Sequence, residues 1–135
     1  MIPFAVVAAA VVALPALIHV MIFVFESVRW TQPAVWRRFG VPDQQQAEQT
    51  KGMAFNQGFY NLFLAIGAVL GVVLIGIGMP EAGLAITLFA LGSMLLASLV
   101  LVISSPKLIR AAATQGAPAL LAIAGLLALM PAFAS

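Results

Sequence analysis

Residues 3–28 read PFAVVAAAVVALPALIHVMIFVFESV. The stretch holds no Lys or Arg, and its only ionisable side chains are His19 and Glu26. A helix crosses the hydrocarbon core of a bilayer with about 20 predominantly apolar residues, so this run alone places the chain in a membrane. Phe4 to Ile18 has the look of a signal peptide. No Lys or Arg precedes it, however, and the apolar run continues to Phe25, so it is read as a retained first span.

Three further stretches are long and apolar enough. The second is assigned to about residues 55–79, strongly apolar from Phe59 to Met79, with its helix starting earlier, near Asp43. The third is assigned to about 83–103 and the fourth to about 117–133. Across all 135 residues 64% are hydrophobic and 7% charged, whereas a soluble domain carries roughly 25% charged residues. Four such runs do not resemble the alternating strands of a barrel. The expected fold is all-α: a four-transmembrane-helix bundle forming one integral membrane domain over residues 1–135.

Orientation follows from charge. All six basic residues fall in two places, Arg29, Arg37, Arg38 and Lys51 around the first loop and Lys107 and Arg110 in the third. The other side has the N-terminus, the Met79-Pro80-Glu81 turn and the C-terminus, with no Lys or Arg. The positive-inside rule predicts two cytoplasmic loops and both termini outside the cytoplasmic membrane. In the first loop, Thr31 is expected to cap a short helix with Pro33 in its first turn. Trp30, Trp36 and Phe39 beside Arg37 and Arg38 read as an interfacial segment at headgroup depth. Asp43 opens a polar helical stretch, Gln44 to Lys51, that runs into the second span. Ser105-Pro106 ends the third span, and Lys107 to Thr114 reads as a short basic link.

Several chemistries are excluded. With no cysteine there is no disulfide, thiolate metal site or cysteine nucleophile. A net charge of +2 is too small for a nucleic-acid binder. One His and one Glu are too few for zinc, and neither a phosphate-cradling glycine loop nor a nucleophile elbow occurs. No metal and no cofactor is expected. Membrane lipid is the expected environment. Gly67 and Gly71, and the strip Ala122, Gly125 and Ala128, supply small faces for packing within the bundle or for a homodimer.

Polar side chains at membrane depth are few, so each asks for a reason. On the first helix His19 and Glu26 lie on one face, about 10.5 Å apart along the axis, with Trp30 continuing that face. Pro15 lies one turn before the histidine. On the second helix Asn56 with Tyr60, and Gln57 with Asn61, form i,i+4 pairs, and Gly58 among them allows a neighbouring backbone or a ligand to come close. Both groups fall in the cytoplasmic half of their spans. The reading is one polar pocket floored by apolar side chains, with His19, Glu26 and Tyr60 as catalytic candidates and Trp30, Asn56, Gln57 and Asn61 as ligand-binding candidates. Each also has a plainer use: Glu26 pairing with Arg29, His19 bonding Tyr60 or Asn61, the amides as interhelical glue, and Tyr60 and Trp30 as belt aromatics.

The pattern His19-x6-Glu26-x3-Trp30, then Phe39-Gly40, then Asn56-Gln57-Gly58-Phe59-Tyr60-Asn61, resembles the family catalogued as domain of unknown function 1304, small four-helix membrane proteins. The likeness covers most of the chain in layout; in the second half it rests on hydropathy. Leu62 departs from the glycine expected after Tyr-Asn. The resemblance implies the fold and the positions of a site, and it implies no activity. A looser architectural likeness is to the emopamil-binding and sterol-isomerase superfamily, small bundles with an intramembrane cavity. Three functions compete: a pocket for an amphipathic or lipid-like molecule with isomerase-type proton transfer, a proton-coupled carrier, and an accessory subunit.

Overall fold

The computed structural model describes residues 3–133. Its elements are α1 (Phe4–Phe23), a short α2 (Pro33–Trp36), α3 (Gln44–Gly76), α4 (Pro80–Ser104) and α5 (Ile109–Leu129). No strand occurs among the described residues. Four helices are long and apolar enough to cross a membrane. They close a ring: α1 packs on α3, α3 on α4, α4 on α5, and α5 back on α1.

Size is sorted inside-out relative to a soluble protein. Leu14, Leu17, Phe63, Phe89, Leu121 and Ile103 each expose more than half of their surface. The interior is paved with small residues: Ala8, Ala68, Ala90, Ala119 and Ala122 are buried beside Val12, Leu91, Met94 and Leu126. Lipid tails give apolar side chains no reason to turn inward, so close backbone approach and dispersion hold such a bundle together. The Gly67–Gly71 face is taken up within the chain. A Cβ on Gly71 would lie 2.6 Å from the Gly83 carbonyl oxygen and 2.8 Å from the Thr87 nitrogen of α4.

The second such contact joins α1 to α3. A Cβ on Gly58 would lie 2.9 Å from the backbone nitrogen of Ser27 and 3.1 Å from Glu26 Cβ. Ser27 Oγ donates to the Phe55 carbonyl at 2.7 Å. The α1 helix runs on through Pro15 and ends in one π-helical turn, Val24–Val28. There the Arg29 N–H donates to the Val24 carbonyl, five residues back, at 2.9 Å. Turns of this kind insert a residue into a helix and recur at functional sites.

The first connection differs from its expected form. Gln32, not Thr31, stands at the N-cap of α2, because Pro33 at the first helical position holds the residue before it extended. The Thr31 carbonyl instead accepts from Gln44 Nε2 at 3.0 Å. Trp30 and Trp36 are buried and do not face headgroups. Trp30 Nε1 donates to the Ala47 carbonyl at 3.0 Å, and Trp36 Nε1 to Gln44 Oε1 at 3.0 Å. An indole buries most of its area once its single donor is satisfied, so both rings fasten the connection to the first turns of α3. That stretch is capped by Asp43, whose Oδ1 accepts from the Gln46 N–H at 2.8 Å.

Two further boundaries shift. The turn between α3 and α4 is Ile77-Gly78-Met79, with Gly78 at φ 88°, and Pro80 and Glu81 already belong to α4. The stretch Lys107 to Thr114 is helical: Pro106–Leu108 forms a tight turn that feeds directly into α5. A Cβ on Gly40 would meet Leu108 Cδ2 at 3.4 Å, so the two basic connections touch at one end of the bundle.

Gly58 and Gly52 make a matched test on one helix. Nothing lies within 4 Å of a Cβ at Gly52. Gly52→Ala should therefore raise stability by about 0.5–1 kcal/mol through helix propensity. Gly58→Ala should lower it by about 1–3 kcal/mol through overpacking against backbone. Thermal unfolding of both variants in one detergent, followed by circular dichroism, reads the sign. A Gly58→Ala protein as stable as Gly52→Ala would mean that α1 and α3 are not in backbone contact.

Candidate functional site

The buried residues of α3 include Ala54, Gly58, Asn61, Ala65 and Ala68, one stripe with alternating steps of four and three. Gly58 lets this stripe press against the π turn of α1. One turn further along α3, Asn61 then meets Glu26: Asn61 Nδ2 donates to Glu26 Oε2 at 2.8 Å. The same nitrogen lies 3.1 Å from the Gln57 carbonyl oxygen. Both partners are acceptors, so the amide orientation is fixed by its surroundings. Glu26 and Asn61 are both buried.

The pair sits on the wall of a cavity of about 710 Å³. All four long helices and the first connection contribute to it. Along α1 and α4 the wall away from the basic connections is apolar, with Met21, Ile22, Ala97 and Val100. Towards the basic end come Arg38, Ser104, Arg110 and Thr114. Gln57 and Gln115 line it from α3 and α5. A concave, mostly apolar site with a few convergent polar groups is the usual form of a small-molecule pocket.

A family model described as protein of unknown function (DUF1304) matches residues 13–127. The chain belongs to this family. No curated protein and no solved structure matches it. The matched region of the DUF1304 chain contains the whole run from His19 to Asn61 and every residue of the cavity wall.

The sequence-predicted residues do not all converge in the DUF1304 site. Glu26, Gln57 and Asn61 line the cavity. Tyr60 does not: it is 60% exposed on the lipid side of α3. Asn56, its i,i+4 partner, is likewise exposed and outside the cavity wall. Trp30 lies beyond the helical end at Val28, so it no longer continues the His19–Glu26 face and serves the first connection instead. His19 is fully buried and is not among the lining residues. Its Nδ1 lies 2.9 Å from the Pro15 carbonyl oxygen. That oxygen can only accept, so Nδ1 carries the proton, and Nε2 meets no partner among the described residues.

The plainer alternative, Glu26 paired with Arg29, does not form among the described residues; Arg29 Nε donates to Gln32 Oε1 at 3.0 Å. Arg38, Arg110, Thr114 and Gln115 also line the cavity, although the sequence reading gives none of them as a site residue. For the residues of α5 the signal lies in the spacing of Leu108, Ala111 and Gln115, which repeats at three and four residues once the helical run is started at the Pro106–Leu108 turn.

Removing the Asn61 amide leaves a buried acceptor unpaired, which costs about 1–3 kcal/mol. Asn61→Leu should destabilise the protein by that amount. Glu26→Leu in the same chain should recover most of it, because the unpaired group then disappears too. Gln57→Leu, whose side chain is exposed, should stay within about 0.5 kcal/mol of wild type. Additive losses in the Glu26/Asn61 double-mutant cycle would show that the two side chains do not interact.

Proposed function

We propose that this multi-pass membrane protein holds an amphipathic, lipid-like small molecule in the cavity beside Glu26 and Asn61. In this reading the protein lies in the cell membrane, with the two basic connections in the cytoplasm and both termini outside. The carrying observation is the Glu26–Asn61 bond on the wall of a cavity of about 710 Å³, a volume within the roughly 300–1,000 Å³ range of small-molecule pockets. Asn61 engages one carboxyl oxygen of Glu26 and leaves the other for a ligand. The apolar wall suits a hydrocarbon tail, and the basic end suits a polar head.

Binding is favoured over paired acid–base catalysis. Among the described residues Glu26 is the only carboxyl lining the cavity, and neither His19 nor Tyr60 shares it. Any proton transfer there would run through Glu26 and the ligand. A carrier finds less support in the far half of the bundle, where the cluster from Ala8 to Leu126 is apolar and Thr87, buried beside it, donates to the Ala68 carbonyl at 3.5 Å.

Native mass spectrometry of the detergent-purified protein tests the reading. Wild type should retain, or take up from a panel of fatty acids and monoacyl lipids, a discrete ligand of a few hundred daltons. Ala97→Phe, which fills the cavity, should lose it. Leu121→Phe, on an outward-facing position, should keep it. Equal retention in both variants would place the ligand on the lipid-facing surface and sink the proposal.

A further inference from the structure

Of the six basic side chains, only Arg38 and Arg110 line the cavity. They arrive from different connections, Arg38 from the turn after α2 and Arg110 from the first turn of α5. The two connections lie side by side where Gly40 faces Leu108. Neither guanidinium is neutralised. Arg38 donates from Nε to the Ala34 carbonyl at 3.2 Å and stacks over the Phe25 ring at 5.3 Å. Arg110 has no side-chain hydrogen bond or ion pair among the described residues. Glu26 lines the same cavity, yet its carboxyl is bonded to Asn61 and forms no ion pair with either arginine.

The remaining cations are accounted for elsewhere or lie outside the wall. Arg29 is bonded to Gln32, and Arg37 stacks on Trp36 at 5.1 Å. Lys51 and Lys107 are not lining residues. The cavity therefore has three zones along the bundle axis: an apolar wall at Met21, Ile22, Ala97 and Val100, a middle zone at Glu26, Asn61 and Gln115, and two unpaired guanidinium groups at the basic end. Planar guanidinium groups bind carboxylate and phosphate in a fork geometry. An acceptor such as the free oxygen of Glu26 suits a donor hydroxyl and disfavours a second anion at its own level.

Resting on the cavity reading above, we infer that the ligand is a single-chain amphiphile with an oxyanion headgroup, carboxylate or phosphate, held between Arg38 and Arg110 with its hydrocarbon tail towards Met21 and Ala97. A hydroxyl next to the headgroup donates to Glu26. One chain suits the volume, which is that of a small-molecule site.

Matched probes test the charge alone. Oleoyl lysophosphatidic acid and monooleoylglycerol share the chain and the glycerol and differ in the phosphate; oleic acid and oleyl alcohol differ in the carboxylate. Titrated into the purified protein and read by native mass spectrometry, the anionic member of each pair should bind at least about tenfold more tightly. Arg38→Gln and Arg110→Gln should each shrink that preference and the double variant should abolish it, while affinity for the neutral member stays as in wild type. The preference should also fall with added salt, as for any partly solvated ion pair.

Equal affinity for charged and neutral members would overturn the oxyanion inference and leave the cavity reading standing. Binding of no probe, with the variants folded, would overturn both. Inorganic phosphate that displaces the lysophosphatidic acid completely would move the assignment from a lipid headgroup to a free anion and overturn the tail placement. Phosphate that fails to displace it supports the amphiphile.

Discussion

Backbone-to-backbone contact between α1 and α3 at Gly58 and Ser27 sets the positions on which the rest of the molecule depends. Any side chain at Gly58 would meet the Ser27 nitrogen at 2.9 Å, so the two helices could not sit this close. Their separation decides whether Asn61, one turn on, reaches Glu26. The π turn at Val24–Val28 acts on the same contact from the other side. By adding a residue to the turn, it changes the angular placement of everything beyond Phe23 and sends Trp30 out of the helix and onto α3. One glycine and one wide turn thus place the acid, its amide partner and the fastening of the first connection.

The bundle divides into two halves with different physics. At the end away from the basic connections, small residues let helices approach and large ones are exposed on the outside, and the buried cluster is largely apolar. At the basic end the helices line a half-open cavity, and polar groups from all four reach it. In hydrocarbon a polar side chain without a partner is costly. The Glu26–Asn61 bond offsets part of that cost within the protein, and the cavity leaves the remaining polar atoms free for a guest. The proposed binding role rests on this asymmetry between the two ends of the bundle.

Much of this was legible in the sequence. Hydropathy alone marks four spans, because lipid imposes one requirement on every exposed turn. The nearness of Glu26 to Asn61 and the close approach at Gly58 could be read from a chain so poor in polar groups. What could not be read is rotation about the helix axis. Asn56 with Tyr60 and Gln57 with Asn61 are equally good i,i+4 pairs, about 100° apart around the axis, and the two cannot face α1 equally. The buried stripe Ala54, Gly58, Asn61, Ala65 and Ala68 takes Asn61 inside and leaves Asn56, Gln57 and Tyr60 exposed, and it is a pattern of size rather than of polarity. The π turn leaves no side-chain signature, so the displacement of Trp30 was invisible. The start of α5 was hidden because its first two turns lie at the bundle end, where Arg110, Thr114 and Gln115 need not be apolar.

The chain's lack of cysteine allows a direct look at the cavity's opening. A single Ala111→Cys places a thiol on the wall near Arg110, and Leu121→Cys places one on the lipid-facing surface. A membrane-impermeant, charged maleimide should label the Ala111 variant in inside-out membrane vesicles and leave it unlabelled in intact right-side-out cells, with the Leu121 variant unlabelled in both. Labelling of the Ala111 variant from the outside only would reverse the orientation, and failure to label it from either side would contradict a cavity that opens at the basic end.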